Sequence, residues 1–152
     1  MNLSLARVKR VFPNFNKTAI TENDFWRACK KHRIIVREIP LIVDGYYQQK
    51  RGRNYILINS NLRSNNRKWL HTAWHEFAHF LMDVPGVNEA LYRRPCGDIH
   101  DPRERFADAF ALICIVPFPD LLKLLEEECL TFDPDLAALV SSRIVVRAEF
   151  GE

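Results

Sequence analysis

The chain has 152 residues, 47% of them apolar and 27% charged, which is the size and make-up of one globular domain able to bury its own core. The net charge is only +3, and the basic spots at Lys50, Arg51 and Arg53, at Arg63, Arg67 and Lys68, and at Arg93 and Arg94 read as solvated faces, so direct nucleic-acid binding is not expected. No run approaches the roughly 18 apolar residues of a membrane span, and MNLSLARVKRVF lacks the apolar core of a secretory signal, so a cytoplasmic location with no membrane contact is expected.

Residues up to about 17 are basic and carry no clear pattern. Thr21 is placed to cap a helix running to about His32, with Glu22 and Asp24 in the first turn where acids suit the helix dipole. Strand candidates follow at Ile34–Ile39 and Leu41–Val43, separated by Pro40. Asp44-Gly45 reads as a turn and Tyr46–Gln49 as the start of a returning strand, while Tyr55–Asn59 is the clearest strand. From Arg67 to about Met82 the period becomes helical: Leu70, Ala73, Trp74, Phe77 and Leu81 recur at helical spacing. Pro85-Gly86 ends that helix, and 87–100 reads mainly as an excursion. Asp101-Pro102 starts another helix as N-cap and first residue, and Phe106, Ala107, Phe110, Ala111, Ile113 and Cys114 mark it as buried. Pro117 stops it, Pro119 restarts a helix to about Cys129, and Asp133-Pro134 opens a last segment over 133–148. In that segment Arg143 and Arg147 form the one place suited to a nucleic-acid contact. The order of elements predicts an α+β fold: one domain over 1–152, with its core at about 20–145 and a small antiparallel or mixed sheet beside several helices.

Four cysteines occur, at Cys29, Cys96, Cys114 and Cys129, and none forms a C-x-x-C pair, so a thiolate metal site is not indicated. The segment His75-Glu76-Phe77-Ala78-His79 is different. On a helix, positions i and i+4 lie one turn apart on one face, so the two imidazoles can bind one tetrahedral zinc ion, and Glu76 is near enough to act on a water there. The wheel puts His75 and His79 roughly opposite Leu70, Phe77 and Leu81, which predicts one face in the core and the histidines in a cleft.

A catalytic zinc needs a third protein ligand and an open position. His100, Asp98, Asp101, Glu104 and Asp108 are the downstream candidates. Glu104 is favoured because Asp108 follows at i+4: one carboxylate can bind the ion while the other accepts the free ring N–H of a ligating histidine. Two carboxylates on an otherwise apolar helix are costly to bury unless something offsets them. A donor to the developing oxyanion is also needed, for which Tyr46, Tyr47, Tyr92 and His100 are candidates; His71, one turn before His75, is within reach of the cleft but reads as a helix-surface residue.

YILINSNL (55–62), HEFAH (75–79), ERFADAFA (104–111) and Pro117, in this order, resemble the ImmA/IrrE family of metallopeptidases over roughly residues 20–145. The resemblance implies a gluzincin-like minimal zincin fold and one Zn2+ per chain on His75, His79 and Glu104. It also implies Glu76 as base and Asp108 where the family carries asparagine or aspartate. As partner it implies a helix-turn-helix repressor, cleaved to relieve repression in a stress response or in control of a mobile element. The alternative it carries is a toxin or regulatory component of a toxin–antitoxin-like pair that acts mainly by binding its repressor. Two departures stand out: Ala78 replaces the usual glycine, and the 80–103 loop is long and basic.

Overall fold

The computed structural model describes residues 2–82, 91–92, 101–127 and 133–152, with 2–6 and 91–92 described as backbone. Its elements are α1 (Asn2–Val11), α2 (Glu22–Lys31), β1 (Ile34–Ile39), β2 (Gly45–Lys50), β3 (Arg53–Asn59), a 3-10 turn (Ser60–Ser64), α3 (Asn66–Met82), β4 (Leu91–Tyr92), α4 (Pro102–Ile115), α5 (Phe118–Glu126) and α6 (Pro134–Phe150). The fold is α+β. The sheet is mixed, in the order β1-β3-β2-β4, with β1 parallel to β3 and the other pairs antiparallel.

The local chemistry explains most boundaries. Thr21 and Asp24 form a reciprocal capping box at the start of α2. Asp101 and Asp133 each cap a helix whose first residue is proline. Asn65 accepts from the Lys68 backbone N–H at the start of α3. Two expectations need correction. Leu41–Val43 is a bend rather than a strand: Pro40 has no N–H for a ladder, Ile42 is fully exposed, and the Asn59 side chain bonds both the N–H and the carbonyl of Leu41. The hairpin turn is not Asp44-Gly45 but Arg51-Gly52, whose φ values of 51° and 72° make the left-handed pair that a tight two-residue hairpin needs. Gly45 is instead the first residue of β2, and the Asp44 carbonyl accepts from Asn59 N–H at 2.7 Å.

The core lies between the sheet and the helices, with α3 at its centre. Trp74 is fully buried; its ring meets Phe12, Phe25 and Phe77 at centroid distances of 5.3, 5.4 and 5.7 Å. The unassigned N-terminal stretch is thus a helix, and the residues around its end line the same core: Val8 is fully buried and Phe15 stacks on Phe110 at 5.5 Å. A smaller apolar cluster of Val116, Leu121 and Val140 ties α5 to α6. Cys29 and Cys114 are buried free thiols; burial pushes Cys29 up to about 12 and Cys114 well above its usual range. The predicted stop at Pro85-Gly86, the excursion over 87–100 apart from the backbone of β4, and Cys96 and Cys129 lie outside the described residues. No helix among the described residues is long and apolar enough to cross a membrane.

Candidate metal centre

Helix α3 is not the two-faced helix that its wheel predicts. Its residues from Thr72 to His79 are buried without interruption. One side packs on β2 and β3, and the other is covered by α4, whose Ala107 and Ala111 are fully buried small residues. His75 and Glu76 are 0% exposed and His79 is 2% exposed, so the histidines sit inside a closed layer rather than on an open cleft wall.

Within that layer α3 and α4 bring His75, His79 and Glu104 together. His75 Nε2 and His79 Nε2 are 3.2 Å apart. Glu104 sends one oxygen to each: Oε2 lies 3.1 Å from His75 Nε2 and Oε1 lies 3.0 Å from His79 Nε2. A tetrahedral ion bonded at about 2.0–2.1 Å places its donors about 3.3 Å apart, so these spacings are those of three ligands around one ion. Two imidazoles and a carboxylate suit a divalent transition metal. Two ring nitrogens this close, facing one carboxylate, also call for a cation or a shared proton between them. The residues present therefore fit a metal ion. Burial pushes the Glu104 carboxyl up, but hydrogen bonds to His75 and His79 outweigh it and hold Glu104 below the usual carboxylate range. Its side chain is 17% exposed, and through it the cluster meets solvent.

Asp108 stands one turn after Glu104. Its Oδ1 accepts from His75 Nδ1–H at 2.7 Å. That bond fixes the tautomer and leaves the His75 Nε2 lone pair for the ion. His71 Nε2 is 3.9 Å from the same oxygen, so His71 belongs to the surroundings of Asp108. His79 Nδ1, by contrast, is buried with no hydrogen-bond partner among the described residues.

Glu76 occupies the sheet side of α3. A Cβ built on Gly45 would come within 2.8 Å of the Leu57 carbonyl oxygen and of Thr72 Cγ2, and within 3.4 Å of Glu76 Cγ. Only glycine lets β2 pass this close to α3, and the stem of Glu76 lies at that crossing. Sequence reasoning missed this role for Gly45; its signal was a glycine followed by a run of strand-forming residues, which was read as a turn. Tyr47 lies on the same face of β2 as Gly45, nearly buried, with its hydroxyl donating to Asn54 Oδ1 at 2.6 Å. Tyr46, one residue away, is on the opposite face. Tyr92 is paired with Tyr46 across β2 and β4, its side chain is not among the described groups, and His100 lies outside the described residues.

Comparison with known proteins agrees with this reading of the fold. No curated protein and no solved structure matches the chain. The family of IrrE N-terminal-like domains, peptidase family M78, matches residues 13–138, a span that runs from the end of α1 into α6 and includes every residue of the cluster. The chain belongs to that peptidase family.

Proposed function

We propose that this domain is a zinc-dependent endopeptidase that cuts a helix-turn-helix transcriptional repressor and thereby relieves repression. The observation that carries the hydrolytic part is the cluster of His75 Nε2 and His79 Nε2, 3.2 Å apart, each facing one Glu104 oxygen at 3.0–3.1 Å, with Glu76 buried on the same helix as the histidines. Zinc bound there would acidify a water and polarise the scissile carbonyl. His75, His79 and Glu104 hold the ion, and Asp108 keeps His75 in the metal-binding tautomer. Glu76 takes a proton from the attacking water and returns it to the leaving amine. The stem of Glu76 lies beside Gly45, where β2 crosses α3. The repressor as substrate is an expectation drawn from the family resemblance, and the cytoplasm as location one drawn from the sequence, which has no span-length apolar run and no signal-like apolar core in MNLSLARVKRVF.

A second reading has one observation in its favour. The centre is almost wholly buried, which also suits a regulatory or toxin-like component that binds its repressor without cutting it. Co-expression with a co-encoded repressor separates the two. The peptidase reading predicts a shortened repressor with the wild type, and a rate about 10²–10⁴-fold lower with Glu76→Gln at unchanged metal content. Equal cleavage by both proteins would remove Glu76 as the base. A repressor that only co-purifies intact with the metal-loaded wild type would favour the binding reading.

A further inference from the structure

We propose that the end of the sheet formed by the β2–β3 hairpin tip and the end of α2 binds the phosphate backbone of duplex DNA without regard to base sequence. The charge is strongly divided along the chain: residues 1–75 hold fifteen of the 22 lysines and arginines but only four of the 19 acids. Those four, Glu22, Asp24, Glu38 and Asp44, all lie away from the hairpin tip. Glu22 and Glu38 are engaged by Arg63, Asp24 by Arg27, and Asp44 by Lys68.

The fold then gathers cations that the sequence keeps apart. The parallel register pairs Ile34 with Asn54, which sets Arg33, just before β1, level with Arg53, with Lys31 and Lys30 two and three residues upstream at the end of α2, and the hairpin register pairs Arg53 with Lys50. With Arg51 this makes six basic residues in one region, all exposed. None of the six has an ion-pair partner among the described residues, whereas Arg27, Arg63, Lys68, Arg103 and Arg105 each have one. Lys50, Arg51 and Arg53 line a hollow of about 480 Å³ together with Tyr55. The neighbouring His32 imidazole is held below its usual range, by burial first and then by Lys31 and Arg7.

The backbone supplies an independent observation. Arg33 and Arg51 have φ values of 56° and 51°, a region that glycine or asparagine enters at far lower cost. The third non-glycine residue there is Asn16, the residue type expected. Both arginines in strained positions are in the basic region, so stability is given up where charge is gained. Local rules are broken in this way chiefly at functional sites.

The partner follows from what the region lacks. Among the described residues the exposed large apolar ones are Trp26, Ile39, Ile42, Leu122, Leu125, Ile144 and Val145, and none falls within 30–33 or 50–53. A protein interface relies on apolar or aromatic anchors at its centre, whereas phosphate contacts need only cations. From sequence no direct nucleic-acid binding is expected and Arg143 and Arg147 are the one place suited to it; they do not serve, for Arg143 is 0% exposed and bonded to Val116, Asn16 and Glu152, and Arg147 stacks on Phe118 at 4.2 Å. Lys50 is five residues along β2 from Gly45, about 17 Å from the Glu76 crossing at strand spacing, so the basic region and that crossing are at opposite ends of the strand.

The test is fluorescence anisotropy of a labelled random-sequence duplex of about 20 base pairs, titrated with the full chain at several salt concentrations from about 50 mM. Six phosphate contacts predict a slope of log K against log salt of about −5, and Arg33→Gly/Arg51→Gly should make that slope shallower by about 2. The same variant should melt no lower than the wild type, because glycine relieves both strained positions. Lys68→Ala, whose cation lies beside Asp44 at the far end of β2 from the hairpin tip, should bind as the wild type does. The proposal is overturned by no binding at about 50 mM salt with protein up to about 100 µM. An unchanged slope in the double variant overturns it too. So does polyglutamate displacing the duplex as effectively per charge as unlabelled DNA, which would assign the region to acidic polypeptides.

Discussion

Asp108 shows how much one side chain can set at this centre. Its bond to His75 Nδ1 is short, at 2.7 Å, yet nearly half of its side chain is exposed, so its removal leaves no buried cavity. Asp108→Ala is therefore expected to keep the fold, seen as an unchanged far-ultraviolet circular dichroism spectrum. The same change should raise the dissociation constant for zinc about 10–100-fold, read by competition with a chromophoric chelator. Unchanged zinc affinity would show that Asp108 does not orient the ligand. At this scale the sequence was highly legible. The i, i+4 histidines and the i, i+4 carboxylates each predict a shared face, and the structure brings His75, His79, Glu104 and Asp108 into one cluster. What spacing does not carry is depth. The wheel of α3 separates apolar from polar residues, but α4 covers the polar side as well, and no pattern within α3 announces that second neighbour.

At the scale of elements, the crossing of β2 and α3 is the tightest constraint near the centre. Gly45→Ala would put a methyl group 2.8 Å from both the Leu57 carbonyl oxygen and Thr72 Cγ2, contacts that real Cβ atoms do not make. The strand or the helix must shift, at a cost of about 1–3 kcal/mol typical of overpacking. The expected result is a lower melting temperature with zinc still bound and repressor cleavage slowed, because the stem of Glu76 lies at the same crossing. Thr72→Ser in that background removes one of the two colliding groups and should restore part of the loss. If the double variant is no better than Gly45→Ala, the contact with Thr72 is not what transmits the change. Strands were less legible than helices for related reasons. Capping residues mark helix ends locally, as at Thr21, Asp101 and Asp133, whereas the hairpin turn uses Arg51 at a left-handed position where glycine or asparagine would have signalled it. Leu41–Val43 reads as a strand by composition but loses its ladder partners to the side chain of Asn59, eighteen residues away.

For the molecule as a whole, the basic sheet half and the acidic helical half meet along α3, and the metal centre lies where α3 and α4 pack. The α+β class could be read from element order, because each strand is short and most of the helices come in sequence after them, but the order left an antiparallel and a mixed sheet both open, and the parallel pairing of β1 with β3 decides it. The helix at the N-terminus could not, because its contribution is a few apolar side chains set in basic text: Val8, then Phe12 against Trp74 and Phe77. Nor could the basic region, since Arg33 and Arg53 come level only through the register of β1 on β3. The central claim is that α3 and α4 together make one metal site from His75, His79 and Glu104. Elemental analysis of the purified wild type beside Glu104→Ala, both supplied with zinc and both checked for fold by circular dichroism, tests it most directly. About one zinc per chain in the wild type, markedly reduced in a folded Glu104→Ala, is the predicted result. A folded wild type without metal, or a Glu104→Ala that retains a full complement, would contradict it.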